Sequence, residues 1–263
     1  MHITVCICTR NRPAYVQNCL GGLLRQTAGD RFEILVVDSA SDPDNAARLA
    51  RITATVPQAR LLRLEQPGIS IARNAGAHAA RGEYIAYIDD DAIAAPDWIE
   101  QIVAAITATD PPPALIGGRI LPRWEAPLPA WWPPRLRGVL TIIEHEGQGE
   151  YRSPALPRGL EPYGANMVVH VATLLALGGF EPHSGRDGKV LLSDEEVQLA
   201  WRLQAAGYSA RYDSRIMVEH QIQAERLNPR WLLTRLYWQG ASTVRTRRQL
   251  GQGPSGATKR PTL

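Results

Sequence analysis

The chain is poor in several things, and each shortage closes off a class of protein. Three cysteines, Cys6, Cys8 and Cys19, form an odd set without zinc-ligand spacing, so neither a disulfide framework nor a zinc site is expected. Cys6 and Cys8 stand two apart in an apolar run, on one face of a strand, as small core residues suited to a reducing cytosol. Net charge is slight: 29 basic against 26 acidic residues leave +3, too little to mark a nucleic-acid surface. No run approaches the ~18 apolar residues that a membrane span needs. The chain opens on a strand-like segment rather than a basic-then-apolar leader, so a cytoplasmic protein is expected, with peripheral contact at the inner face of a membrane left open. Glycine is missing where a dinucleotide would require it. The turn after the first strand reads Thr9-Arg10-Asn11-Arg12, which argues against a Rossmann dehydrogenase.

What is present centres on Tyr84-Ile-Ala-Tyr-Ile-Asp-Asp-Asp91, an apolar strand that ends in three carboxylates. Adjacent like charges repel, and side chains that alternate along an extended chain cannot share one partner. Such a cluster suits a divalent cation or a polyhydroxylated ligand, since both are bound through oxygen chemistry. Around it the pattern alternates. Ile3–Cys8, Glu33–Asp38, Arg60–Leu64 and Tyr84–Ile88 read as strands. Ala14–Gln26 (led by Pro13), Asn45–Thr55, Ser70–Ala80 and Pro96–Thr107 read as helices. Four alternations predict an α/β fold with a mostly parallel central sheet flanked by helices. Right-handed crossovers would then gather Thr9–Arg12, Asp38 and Asp89–Asp91 at one rim.

After Asp110 the character changes. Leu115–Leu121 reads as a strand, and Pro122–Arg137, rich in proline and carrying Trp124, Trp131 and Trp132, is expected to be neither regular helix nor central strand. It is either a loop over buried tryptophans or an acceptor-facing surface, with equal weight. Tyr163-Gly-Ala-Asn-Met167 is a small-residue turn before a β-branched stretch, and Ala172–Leu177 is helical up to Gly178-Gly179. Ser193 and Glu196 have capping-box spacing, which predicts a helix from there to Gly207. Ala210–His220 reads as a strand. Pro229–Arg248 is a last helix with Trp231, Leu232, Leu236, Tyr237 and Trp238 beside several arginines, and Gly251–Leu263 has the composition of a disordered tail.

In this order the motifs resemble the family 2 glycosyltransferases, inverting enzymes of the GT-A fold. The resemblance runs over residues 3–220. It rests on Thr9-Arg10-Asn11-Arg12, Val36-Val37-Asp38, Gly68-Ile-Ser-Ile-Ala-Arg73-Asn74-Ala-Gly76 and Asp89-Asp90-Asp91. It continues through Gly164-Ala-Asn166, Gly178-Gly-Phe180, Asp194-Glu195-Glu196 with Arg202-Leu203, and the terminal His220. The resemblance implies a sugar donor, UDP-linked, held by Thr9, Arg10, Arg12, Asp38, Arg73, Asn74, Asp89, Asp90, Gly164 and Asn166. It implies Mn²⁺ or Mg²⁺ on Asp91 and His220. A carboxylate on the acceptor side would take the hydroxyl proton, with Glu196 favoured, Asp194 next, and Glu195 aligned with the family's preceding glutamate. Glutamate stands at 196 where the family usually has aspartate, and Glu196 is equally placed to be the capping partner of Ser193.

Trp131, Trp132 and Arg202 are the acceptor-side candidates, for a saccharide, lipid-linked or other hydroxyl acceptor in polysaccharide, glycolipid or other glycoconjugate synthesis. The Trp/Arg helix would either lie on an anionic membrane or pack on the domain. The expected division is a nucleotide-sugar half over 1–110, an acceptor and catalytic half over 111–222, a helical extension over 223–250 and the tail beyond. Two other classes compete. A nucleotidyltransferase would need a glycine-bearing triphosphate loop that the Thr9–Arg12 turn lacks, and a non-catalytic nucleotide-binding homologue is favoured only by Glu196 replacing aspartate.

Overall fold

The computed structural model describes residues 2–249 apart from Asp30, Arg158 and 183–193. The expected cap at Ser193 and the tail from Gly251 lie outside the described residues. The first half alternates as its sequence pattern requires. Strands β1 (Ile3–Thr9), β2 (Phe32–Ser39), β3 (Ala59–Leu64) and β4 (Tyr84–Asp89) are separated by α1 (Pro13–Leu23), α2 (Pro43–Ala54) and α3 (Ile69–Ala79). Pro13 opens α1, where its missing N–H costs nothing. The Asp42 carboxylate caps α2 by accepting from the Asn45 N–H at 2.9 Å. The small residues of α3 let it lie close on the sheet: a Cβ on Gly76 would come within 2.6 Å of Cys6 Sγ. Cys6 is thus buried in the core, whereas Cys8 is half-buried.

The second half adds β5 (Ala92–Ala94), α4 (Trp98–Thr107), β6 (Leu115–Trp124), β7 (Gln148–Glu150), β8 (Met167–His170), α5 (Val171–Ala176), α6 (Glu195–Ala205), β9 (Ala210–Ile222) and α7 (Pro229–Gln249). One sheet runs β3-β2-β1-β4-β8-β6-β9-β5, with β7 also paired to β9. β1 to β4 are mutually parallel where they pair, β8 is antiparallel to both β4 and β6, and the long β6–β9 pairing is parallel again. Two departures from the sequence reading stand out. β5 is a short strand to which the sequence reading assigned no element. Pro122 lies within β6, because beyond Gly117 that strand pairs with β9 along one side while β8 has left its other side. On that side a single bridge joins Ile120 to Ile143, and proline is tolerated just beyond it, where the ladder ends.

Register places the site. Thr9 pairs with Asp38 and Cys8 with Asp89, which aligns the carboxyl ends of β1, β2 and β4 along one rim. Across the sheet, Ala92 pairs with His220, so the histidine lands beside Asp91. A bulge between Gly118 and Arg119 shifts the β6–β9 register. Asn166 fastens it: its amide donates to the Arg119 and Ile216 carbonyls (2.9 and 2.8 Å), and its oxygen accepts from the buried Trp98 indole. The main core surrounds the sheet, with Trp98, Tyr84, Tyr87 and Phe180 fully buried in it. A second, smaller apolar cluster joins Trp132, Leu140, Ile222, Leu227 and Leu232, so the proline-tryptophan excursion packs against the start of α7.

Candidate active site

The strand-end acids, the starts of α3 and α6 and one face of α7 surround a single cavity of about 650 Å³. At one end stand the acids of β4. Arg12 reaches across from the loop after β1 and forks onto two of them, Nη1 to Asp90 Oδ1 at 2.6 Å and Nη2 to Asp91 Oδ2 at 2.8 Å. Thr9 donates its hydroxyl to the other Asp90 oxygen at 2.7 Å. Burial dominates at Asp90: it pushes the pKa up to about 7, the like charge of Asp91 adding to it and Arg12 opposing. Asp91 goes the other way. Burial works against its charge too, but His220, Arg12 and Arg226 outweigh burial and hold its pKa well below the ordinary carboxylate range. Asp89 is the exposed member, with its carboxylate 37% exposed and facing Arg73 at 3.9 Å. Arg10 lines the cavity from the same loop and is exposed.

The chemistry of the pair Asp91 and His220 fits a divalent cation. His220 Nδ1 lies 3.1 Å from the Leu140 carbonyl, which can only accept, so that nitrogen carries the proton. In the neutral ring Nε2 then presents a lone pair to Asp91 Oδ1 at 3.3 Å. Two acceptors at that distance call for a cation between them or a second ring proton. Among the described residues no group of three or more His, Cys, Asp or Glu is arranged to hold a metal. A metal held by Asp91 and His220 would therefore complete its shell from a ligand's phosphate oxygens and water, the habit of Mg²⁺ and Mn²⁺ at phosphates.

The middle of the cavity is organised by one buried arginine. Arg73 of α3 sits 3.1 Å from Glu195 Oε1 and 2.9 Å from Glu196 Oε1, all three side chains at least 90% buried. Burial alone would disfavour its charge, but Glu196, Glu195 and Asp89 together raise its pKa above the ordinary arginine value. Glu196 Oε1 also accepts the Gly164 N–H at 3.0 Å. Only glycine fits at 164: a Cβ there would overlap the Arg73 guanidinium and lie 2.7 Å from Glu196 Oε1. Asp194, at the start of α6, adopts φ +84° and accepts from Thr243 at 3.4 Å.

The far end is built by Glu161 and Tyr163 from the loop before β8, by Asp194, Val197 and Trp201 of α6, and by α7. On α7 the lining residues Arg235, Gln239, Thr243 and Thr246 recur at helical spacing and present one polar face inward. Gln198 ties α6 to α7 by donating to Thr246 at 2.9 Å.

The structure brings together Thr9, Arg10, Arg12, Arg73, Asp89, Asp90, Asp91, Gly164, Asp194, Glu195, Glu196 and His220, all of which line the cavity. It does not bring Asp38, Asn74, Asn166, Arg202, Trp131 or Trp132 to the lining. Asp38 accepts from the Ser41 N–H and pairs with Arg63 at 2.7 Å, so it closes the turn after β2. Asn74 clamps the backbone of Phe180 through both N–H and carbonyl. Asn166 is the fastener of the β6 bulge, and Arg202 donates to the carbonyls of Leu177 and Gly179. Trp132 is buried in the second cluster, and its neighbour Trp131, 45% exposed, stacks on it. Sequence reasoning missed Arg226, which reaches Asp91 Oδ2 at 3.2 Å from a one-turn 3₁₀ segment, and Gln223, which donates to the same oxygen at 2.9 Å. Both lie just beyond His220, where the motif ends. It also missed the polar face of α7, whose i, i+4, i+8, i+11 spacing was there to be read.

A cavity at the carboxyl ends of parallel strands in a mixed sheet flanked by helices, with an aspartate–histidine pair suited to a divalent cation, belongs to the GT-A class of fold. Comparison with known proteins agrees. The model for "Glycosyl transferase family 2" matches residues 4–143, and the chain belongs to that family. It is 31% identical over 179 residues to the glucosyl-dolichyl phosphate glucuronosyltransferase of Haloferax volcanii, covering 68% of this chain and 55% of that one. The mannosyltransferase of Pyrobaculum calidifontis, solved with GDP-Man and Mn²⁺, superposes with a TM-score of 0.70 at 19% identity, covering 97% of this chain and 65% of that one. S. aureus TarS (residues 1–349) with UDP-GlcNAc superposes at 0.62 and 17% identity, over 85% and 59% of the two chains. This chain therefore spans little more than half to two thirds of the length of these proteins.

Proposed function

We propose that the protein is a metal-dependent inverting glycosyltransferase that moves a sugar from a nucleoside diphosphate sugar, UDP-linked in the first instance, to an acceptor hydroxyl in glycoconjugate or polysaccharide synthesis. One observation carries the reading: the strand-end acids with the Asp91–His220 pair and the buried carboxylates Glu195 and Glu196 line one and the same cavity. Asp91 and His220 would hold Mn²⁺ or Mg²⁺, which supplies neutralisation of the charge that develops on the departing diphosphate. Arg12, Gln223 and Arg226 fix the Asp91 carboxylate in its charged form. Asp89, partly exposed at the rim beside Arg73, would meet the ribose hydroxyls. In a single displacement the acceptor oxygen bonds to the anomeric carbon as the diphosphate oxygen leaves, and the acceptor proton passes to a carboxylate on the opposite side. Glu196, held by Arg73 and the Gly164 N–H, would take that proton, with Asp194 the second candidate.

The experiment is a thermal-shift panel of UDP, GDP, CDP and TDP with and without Mn²⁺. A ligand that binds only the folded state stabilises it by about 2.7 kcal/mol at a hundred times its dissociation constant. One nucleotide should raise Tm only with metal, and Asp91→Ala should abolish that metal-dependent part. A metal-dependent shift that survives Asp91→Ala removes Asp91 from the reading.

The acceptor side extends the proposal to a membrane surface. Among the described residues no helix is long and apolar enough to cross a membrane. The outer face of α7, however, exposes Leu233 (67%), Tyr237 (71%) and Val244 (51%) beside the exposed Arg230 and Arg248. An apolar stripe between arginines suits an anionic bilayer and thus a lipid-linked acceptor. The full chain should co-sediment with vesicles containing phosphatidylserine and stay in the supernatant with neutral ones; no co-sedimentation with either rejects the contact.

A further inference from the structure

The far end of the cavity holds polar atoms that the protein itself leaves unanswered. Glu161 Oε2, Trp201 Nε1 and Gln239 Oε1 are each buried with no hydrogen-bond partner among the described residues. They come from three separate elements, the loop before β8, α6 and α7, yet all three side chains line the same cavity. A buried polar atom left without a partner is costly, because it has given up water and gained nothing in return. Three converging on one space mark a place where something else supplies the bonds.

We propose that Glu161, Trp201 and Gln239 form a subsite for a hydroxyl-rich group, the accepting sugar itself, so that α7 takes part in acceptor recognition. The proposal rests on the glycosyltransferase reading and names the chemistry of its second substrate. The character of the orphaned atoms selects the ligand. Trp201 Nε1 can only donate, whereas Gln239 Oε1 can only accept. A phosphate accepts only and would leave the amide oxygen unanswered; an alkyl chain would answer neither. A hydroxyl both donates and accepts, and it also satisfies the Gln239 amide in either orientation. Glu161 is suited to the same task. Burial pushes its carboxyl up to about 7, with Asp194 adding to the rise and Arg152 and Trp201 opposing it, so near neutrality it can give or take a hydrogen bond. The Trp201 indole lies against that carboxyl and opposes its rise, yet makes no well-formed hydrogen bond to it. The position is right for an acceptor: Asp194, Val197 and Trp201 share one face of α6, which places the indole one to two turns beyond Glu196.

The test reads the indole directly. Full-length protein labelled with nitrogen-15 is titrated with methyl glycosides of glucose, mannose, galactose and N-acetylglucosamine, in the presence of Mg²⁺ and each of UDP and GDP. The Trp201 indole N–H signal is identified by its disappearance in Trp201→Phe, which deletes the donor and keeps an aromatic ring. At least one glycoside should move that signal saturably, and Trp201→Phe and Gln239→Leu should each weaken its binding about tenfold or more, the effect of stranding a polar group against a hydroxyl. Nucleotide-dependent thermal shifts should persist in both variants, which also shows that they fold. If no glycoside moves the Trp201 signal while nucleotide still binds, or if both variants bind the glycoside as the native protein does, the subsite is overturned. Failure of every nucleotide to bind would instead overturn the donor reading, and the glycoside titration would still report on this end of the cavity.

Discussion

Replacing Arg73 by methionine tests the electrostatic centre of the site. The change removes the cation that lies 2.9–3.1 Å from Glu196 and Glu195 and leaves two carboxylates buried together. At an effective dielectric of about 20, each contact of that length is worth about 5 kcal/mol of attraction, most of it offset in the native protein by the cost of burying the charges. What the variant loses is the compensation, while the burial cost remains. Breaking such a buried set by deleting one partner costs about 3–5 kcal/mol, a large share of the 5–15 kcal/mol that holds an ordinary domain together. The loss should depend on pH. Without the arginine the buried carboxyls bind protons more tightly folded than unfolded, so the stability of the variant falls as pH rises above the ordinary carboxylate range. Urea unfolding at pH 5 and pH 8 reads this. Arg73→Met should lose about 4 kcal/mol at pH 8 and roughly half of that at pH 5, and adding Glu195→Gln with Glu196→Gln should restore part of the loss at pH 8. A loss that is equal at both pH values, and that the triple variant does not relieve, would mean that Arg73 acts only through packing over the Phe180 ring, 5.5 Å away.

Two further outcomes are expected. Glu196→Gln should keep metal-dependent nucleotide binding and lower transfer by about a hundredfold or more, as for loss of a general base; near-normal transfer would move the base to Asp194, and an absence of transfer in the native protein with every acceptor would favour a non-catalytic homologue. Glu33 is the acid-stability group: burial opposes its charge, but Arg60, the Thr4 hydroxyl and the Arg81 N–H bring its pKa down to about 2. Its contribution is therefore present above the ordinary glutamate range and lost as pH falls through about 2. Glu33→Gln should cost about 1–2 kcal/mol at pH 7 after allowance for screening, and nothing below pH 2, by denaturant titration.

The parts of the fold legible in the sequence were those set by local chemistry. Pro13 and the alternation of β-branched runs with small-residue helices specified the first half, and the Tyr84–Asp91 run placed the acids at the correct end of a strand. What escaped was decided by partners far along the chain. Asn74 and Asn166 look like ligand-binding amides, yet their hydrogen bonds go to Phe180 and to the β6 bulge, and nothing local announces that. Asp38 ends its strand as expected, but Arg63, 25 residues on, claims its second oxygen. Pro122 was read as a break because proline lacks a donor; the strand continues because β8 has already turned away on that side. On α7 the tryptophans and the run of arginines drew the reading, whereas the cavity is lined by Arg235 together with the quieter Gln239, Thr243 and Thr246.

The way Asp91 is surrounded also sets when the site comes into being. Its partners are Arg12, 79 positions earlier, and Gln223 and Arg226, 132 and 135 positions later. A chain made from its amino terminus can pair β1 to β4 long before β9 exists, so the early sheet carries its acids with Arg12 as their only cation from this trio. Closure of such distant loops is slow, and here it waits on segments made more than a hundred positions after the acids. The sheet is thus able to form first and the site last: an incomplete chain that stops short of Gln223 has the acid-bearing rim of the fold but neither the later partners of Asp91 nor the helix that closes the cavity.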